Sequence, residues 1–238
     1  MPDVAEIRDY RLVDQHETWT KAGPVVSHLP DNEITTLTER ATATVAEPGT
    51  LGLWGFATGT WMTATILGGY LPQSYMFSAA LIVILFAGVA QFIAGLFAYR
   101  RTNALNATAF CCFGAFNATA GAMMLLNATG LISAQNGMHE MLGFLLESFA
   151  FIAFVLCAAA TSRNVVMVCL LFTLGAGYCL TGVAQFLIAP GATAGLGGIA
   201  AAGGACLLAS AGLAYYLGMA MIVNSAWRRT LLPVLGEP

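Results

Sequence analysis

Between Leu51 and Leu235 the chain carries only seven charged side chains: Arg100, Arg101, Glu140, Glu147, Arg163, Arg228 and Arg229. A charge in hydrocarbon is costly, so long stretches without one are the stretches that can cross a bilayer. A soluble domain is about 25% charged, whereas this chain of 238 residues is 9% charged and 58% hydrophobic. It reads as an integral membrane protein with lipid as an obligatory partner. A span takes about 20 apolar residues. Six runs qualify, at 51–71, 78–99, 104–126, 141–161, 165–189 and 194–225. The expected fold is an all-α bundle of six transmembrane helices. Residues 1–49 form a polar cytoplasmic tail, 50–226 the membrane domain and 227–238 a short cytoplasmic tail.

The nine Lys and Arg set the expected orientation. All lie in the N-terminal tail, in the breaks after the second and fourth runs, or near the C-terminus. With six spans these regions share one side, and the positive-inside rule makes that side cytoplasmic. A multi-pass protein of the plasma or inner membrane follows, with both termini inside. The net charge of −3 offers no basic surface to nucleic acid. The first 30 residues are too acidic and polar for a cleavable signal. Six cysteines lie within apolar runs and read as reduced core residues. His16, His28 and His139 fall outside the runs. No metal-ligand spacing, nucleotide motif or nucleophile–base pair occurs, so no metal, cofactor or enzymatic activity is expected.

The pentapeptide GVAQF occurs twice, at 88–92 and 182–186, an interval of 94 residues or three spans. An odd number of crossings reverses direction, so the copies run antiparallel. That is the mark of two inverted three-helix repeats, whose interface holds the solute site in many transporters. A membrane glutamine needs partners or water. Gln91 and Gln185 are therefore expected to face the interior near mid-membrane and to line a pathway.

Other polar features point the same way. "EPGTLGLWGF" opens the first run, with proline well placed to start a helix. Free amides at that end make an anion site that would involve Glu47, Pro48, Thr50, Leu51 and Gly52. An ordinary proline-initiated helix explains the stretch equally well. The third run holds Asn106 and Asn117 on one face, with Phe113 one turn from Asn117. That face is either helix glue or a pore wall. Glu147 is the only acid inside a run and is the candidate for proton coupling. The last run is dense in Gly and Ala, including Ala200/Gly204 and Ala201/Ala205, which suits close helix packing.

Three stretches, "EPGTLGLWGF", "GVAQFIAGLFAYRRTNALNATAFCCFGAF" and "YYLGMAMIVNSAWRRTLLP", resemble the acetate uptake transporter family of succinate–acetate permeases and fungal acetate or ammonia-export proteins. The resemblance covers about residues 47–235. Pro48, Leu51, Gly52 and Leu53 match the family's Asn-Pro-Ala-Pro-Leu-Gly-Leu signature. Gly88, Gln91, Gly95, Asn103, Phe110, Gly114 and Phe116 match its second and third spans, and Tyr216, Asn224, Arg229 and Pro233 match its ending. The resemblance implies a six-helix protomer in a homo-hexamer, with one pathway per subunit for acetate-like small carboxylates, often carried with protons. It implies a constriction at Phe56, at Phe113 (where the family has tyrosine) and near Thr173 or Leu174. The chain departs from the pattern at Glu47, where the family has asparagine, and at Asn117, where it has tryptophan.

The leading expectation is a transporter or channel for small monocarboxylates. The alternatives are a pore for ammonia, urea or a neutral acid, and a non-transporting scaffold. The topology is directly testable. In a chain stripped of its own cysteines, Tyr75→Cys and Arg101→Cys are expected to label from opposite sides of the membrane. Labelling of both from one side overturns the span count.

Overall fold

The computed structural model describes residues 45–132, 137–188 and 197–236. The N-terminal tail up to 44, the break at 189–196 and the start of the last run lie outside the described residues. Apart from short connections and the ending after 227, the described residues are helical. The helices are α1 (Gly49–Leu67), α2 (Gln73–Arg100), α3 (Ala104–Ala128), α4 (Met138–Ala160), α5 (Val165–Ile188) and α6 (Gly197–Trp227). Helices α2 to α6 are each long and apolar enough to cross a membrane.

Helix α1 is the exception by composition, and its burial supplies the reason. It has 19 residues and no charge, but it is rich in Gly and Thr, and 11 of the 19 are buried. Its inner face gains from small side chains that let neighbours approach, while Leu51, Trp54 and Trp61 stay exposed on the other face. Gly52 lies under the Phe110 ring, Gly55 faces the Phe86 carbonyl and Gln91, and Gly59 faces Ala87 and Asn117. Toward the other end Gly68 meets Gly204 of α6. The adjacent Gly203 faces Thr181 of α5, so two consecutive glycines serve two neighbours.

The helices close into an up-and-down ring. Helix α1 packs on α2 and α6, α2 on α3, α4 on α5, and α5 on α6, while α3 and α4 barely touch. The loops place Arg100, Arg101, Arg163, Arg228 and Arg229 together at one end, here termed the basic end. After α6 the chain folds back over that end instead of trailing away. Asn224 Oδ1 accepts from the backbone amides of Leu231 and Leu232 at 2.8 and 2.9 Å. The Tyr216 hydroxyl donates to the Pro233 carbonyl at 2.6 Å, and Val234 is buried.

Helix α2 contains a π-helical stretch, Val83–Ala90. Its wider turns change the angular phase of everything after it. The two GVAQF copies consequently face different neighbours. Gly88 packs on Ala118 of α3, whereas Gly182 packs on the Glu147 side chain of α4. Gln185 lies in the last described turn of α5, not at mid-helix as the sequence suggests. All six cysteines are free, as expected, but none is fully buried, so they are not core residues. They sit on helix flanks, where small thiols fill gaps.

A Cβ on Gly204 would stand 2.7 Å from the Gly68 Cα, while nothing lies within 4 Å of one on Gly212. Gly204→Leu is expected to cost about 1–3 kcal/mol or more through overpacking, and Gly212→Ala is expected to be neutral or stabilising. Thermal unfolding in detergent checks both.

Candidate functional site

Two apolar cavities lie along the axis enclosed by the helices. The one toward the basic end, about 20 Å³, is lined by residues that include Leu53, Phe56, Gln91, Asn106, Phe113 and Leu174. The one toward the far end, about 40 Å³, is lined in part by Thr63, Met76, Ala120, Met124, Asn127 and Met138. On both α1 and α3 the nearest lining residues of the two cavities, Phe56 and Thr63, and Phe113 and Ala120, are about two helical turns apart, or roughly 10 Å.

An aromatic cluster fills that interval. Phe56 and Phe113 lie with ring centroids 5.8 Å apart. Phe113 continues to Phe149 at 5.8 Å and to Tyr178 at 6.4 Å. Phe116 closes the group against Phe149 at 4.7 Å and Tyr178 at 4.9 Å. All pairs are tilted, the arrangement that aromatic quadrupoles favour. Phe56, Phe113, Phe116 and Tyr178 are buried. Four helices (α1, α3, α4 and α5) thus contribute to one plug, and Leu174 sits one turn from Tyr178. The tyrosine was not singled out from the sequence. Its signal is a lone phenol that follows two glycines in "GAGYCL", and Thr60 is the side chain that faces its hydroxyl.

Beside the plug, two amides find each other. Asn117 Nδ2 donates to Gln91 Oε1 at 3.0 Å, and both side chains are 0% exposed. Gln91 lines the basic-end cavity. Asn117, one turn from Phe113, lines neither cavity and packs at Gly59. The pair leaves Gln91 Nε2 and Asn117 Oδ1 without partners.

The second repeat glutamine is used differently. Gln185 Oε1 lies 2.7 Å from Nδ1 of His139, in the first turn of α4. His139 therefore belongs to a membrane-length helix, which corrects its placement outside the spans. The run of apolar residues begins only after it, and this hid the helix start. Glu147 is about two and a half turns into the same helix. It packs against the notch at Gly182, and its Oε1 is buried without a partner. It lines neither cavity.

The start of α1 holds an anion of its own. Glu47 Oε1 accepts from the Gly49 amide at 3.1 Å, and Oε2 pairs with Arg101 Nε at 3.0 Å. Pro48 is the N-cap, the Thr50 hydroxyl reaches the Gly218 carbonyl at 3.5 Å, and Gly52 accommodates Phe110. Leu51 is exposed and turns away from the bundle. No group of His, Cys, Asp and Glu suited to a metal ion occurs among the described residues.

Residues 32–235 match the model of the GPR1/FUN34/yaaH family. The succinate-acetate/proton symporter SatP of Escherichia coli (strain K12) is 29% identical over 192 residues, 80% of this chain and 95% of the relative. The ammonia transport outward protein 2 of Saccharomyces cerevisiae is 27% identical over 179 residues, 72% of this chain and 59% of the relative. The solved structure of the bacterial acetate channel SatP superposes with a TM-score of 0.70 at 27% identity, covering 80% of this chain and 99% of that one.

The amide pair makes a measurable claim. Removing one partner leaves a buried amide unpaired, at about 1–3 kcal/mol. Asn117→Leu and Gln91→Leu are each expected to destabilise by that order. The double variant should cost less than their sum, as a double-mutant cycle of unfolding in mixed micelles would read.

Proposed function

This chain belongs to the GPR1/FUN34/yaaH family, and from that premise we propose that it is a transporter or channel, not an enzyme, for acetate-like small monocarboxylates. The observation that carries the reading is a pair of apolar cavities separated by an aromatic cluster. An apolar cavity opens on each side of the Phe56–Phe113–Tyr178 cluster. A ring of that kind disfavours a bare ion through dewetting. A neutral acid, or a carboxylate that takes up a proton, meets a smaller barrier. The substrates named for the bacterial relatives are of this kind.

Each candidate residue takes a role in this reading. Phe56, Phe113 and Leu174 narrow the pathway, and Gln91 offers it a polar edge steadied by Asn117. Gln185 holds the far end of α5 to α4 through His139. Glu147, in the α4–α5 seam, is the proton-coupling candidate and acts from outside the solute path. Glu47, Pro48, Thr50, Leu51 and Gly52 form the entry, where the Glu47 carboxylate already holds the helix amide that an incoming anion would seek. That last observation favours a second reading, a path for an uncharged solute such as ammonia, urea or a neutral acid. The named function of the yeast relative is in keeping with it.

Six spans, with α1 as the sixth, place the basic end and both termini in the cytoplasm. At about 1.5 Å per residue, the 19 residues of α1 just cover the hydrocarbon core. The polar tail at 1–49 and the ending at 227–238 then flank the membrane domain, 50–226, on the same side. The two inverted three-helix repeats and the homo-hexamer implied by the resemblance complete the proposal. Native mass spectrometry tests the hexamer.

Flux into proteoliposomes tests the function. Acetate uptake is expected to rise as external pH falls toward the acid's pKa, because the protonated fraction grows. Phe56→Ala is expected to admit larger acids. A well-folded Phe56→Ala variant with unchanged rate and size cutoff places the pathway elsewhere. Absence of all solute flux favours a scaffold.

A further inference from the structure

The two cavities are not equivalent, and their difference bears on substrate size. A water-sized group needs about 10–15 Å³ of such space. The basic-end cavity, about 20 Å³, holds about one, the size of an acetate methyl. The far-end cavity, about 40 Å³, holds about three. Its wall is also of another kind. Met76, Met123, Met124 and Met138 all line it. Unbranched thioether chains are flexible and polarizable and repack around apolar guests of different shape.

The polar groups there are only lightly engaged or already spent. The Thr63 hydroxyl bonds the carbonyls of its own helix, Gly59 at 2.9 Å and Thr60 at 3.2 Å. Asn127 Nδ2 points to Met76 Sδ at 3.2 Å. A thioether is a weak acceptor, so a carboxyl oxygen is a better partner for that amide. No Lys or Arg lines the cavity, so nothing there neutralises a carboxylate.

We propose that the far-end cavity seats the alkyl chain of an uncharged monocarboxylic acid of the butyric or valeric class, with its carboxyl group bonded to Asn127. The inference rests on the monocarboxylate reading above and narrows it, from acetate-like solutes to acids with a longer apolar tail. Each methylene buried among the methionines is expected to raise affinity about fourfold. A hydrated dicarboxylate gains nothing there.

Competition for labelled acetate uptake, at one fixed acidic pH with the full chain in proteoliposomes, tests the idea. Butyrate, with two more methylenes, is expected to compete about fifteenfold better than unlabelled acetate. Met124→Gln and Met138→Gln keep side-chain length but put an amide into the cavity, and are expected to bring that preference to about one. In parallel, methyl spectra of the ten methionines, carbon-13 labelled in nanodiscs, are expected to shift with butyrate and not with acetate. Single Met→Leu variants assign the signals. Suppose acetate is carried but butyrate competes no better, or both Gln variants keep the preference. The alkyl seat is then wrong, although the transport reading stands. If neither acid is carried, the transport reading falls and the methyl spectra decide the seat: a butyrate-specific shift at Met76, Met123, Met124 or Met138 upholds it, and its absence overturns it.

Discussion

The structure depends on a helix whose inner face several neighbours can approach closely. Helix α1 omits a side chain where its neighbours come closest, at Gly52, Gly55, Gly59 and Gly68. Lipid supplies no hydrophobic drive for one apolar helix to leave it for another, so helices in a membrane associate through close contact and shared polar groups. The small positions of α1 provide the contact. They bring Phe110, the Gln91–Asn117 pair and Gly204 against a single helix. The aromatic plug can form only because α1 is held there, with Phe56 pointing inward from the same helix.

Buried polarity is spent sparingly around this framework. Each glutamine of the repeated pentapeptide finds one partner on a neighbouring helix, Asn117 for Gln91 and His139 for Gln185. Most other hydroxyls bond carbonyls of their own helix, as Thr63 and Thr181 do. Among the described residues, the buried side-chain atoms without a hydrogen-bond partner lie on Thr60 and the Gln91–Asn117 pair, beside the aromatic cluster, and on Glu140 and Glu147 of α4. Unpaired buried polar atoms are costly.

The ring is also asymmetric in a way that the repeat does not foretell. Helices α1 and α6 are zipped together by glycines, while α3 and α4 barely touch. The methionine-lined cavity draws its wall from these two loosely joined helices together with α1 and α2. Space in this protein is concentrated where a helix contact is missing, and flexible side chains fill its edges.

Much was legible in the sequence. The uncharged runs located every helix of membrane length, and the quoted motifs pointed to the family. The resemblance also pointed to Phe56, Phe113 and either Thr173 or Leu174; the structure sets Phe56 and Phe113 in one plug and Leu174 beside it. Hydrophobicity and charge are properties of each residue alone, so a span can be read without knowing its neighbours. The partners could not be read that way. That Asn117 meets Gln91 and not the cavity depends on helix rotation and register, as does the Glu147 carboxylate in the Gly182 notch. So does the capture of the α1 amide by Glu47. Those are set by the π-helical phase of α2 and by which glycines let which backbones touch. Contacts between residues distant in the chain fix these quantities, and only the tertiary structure decided them.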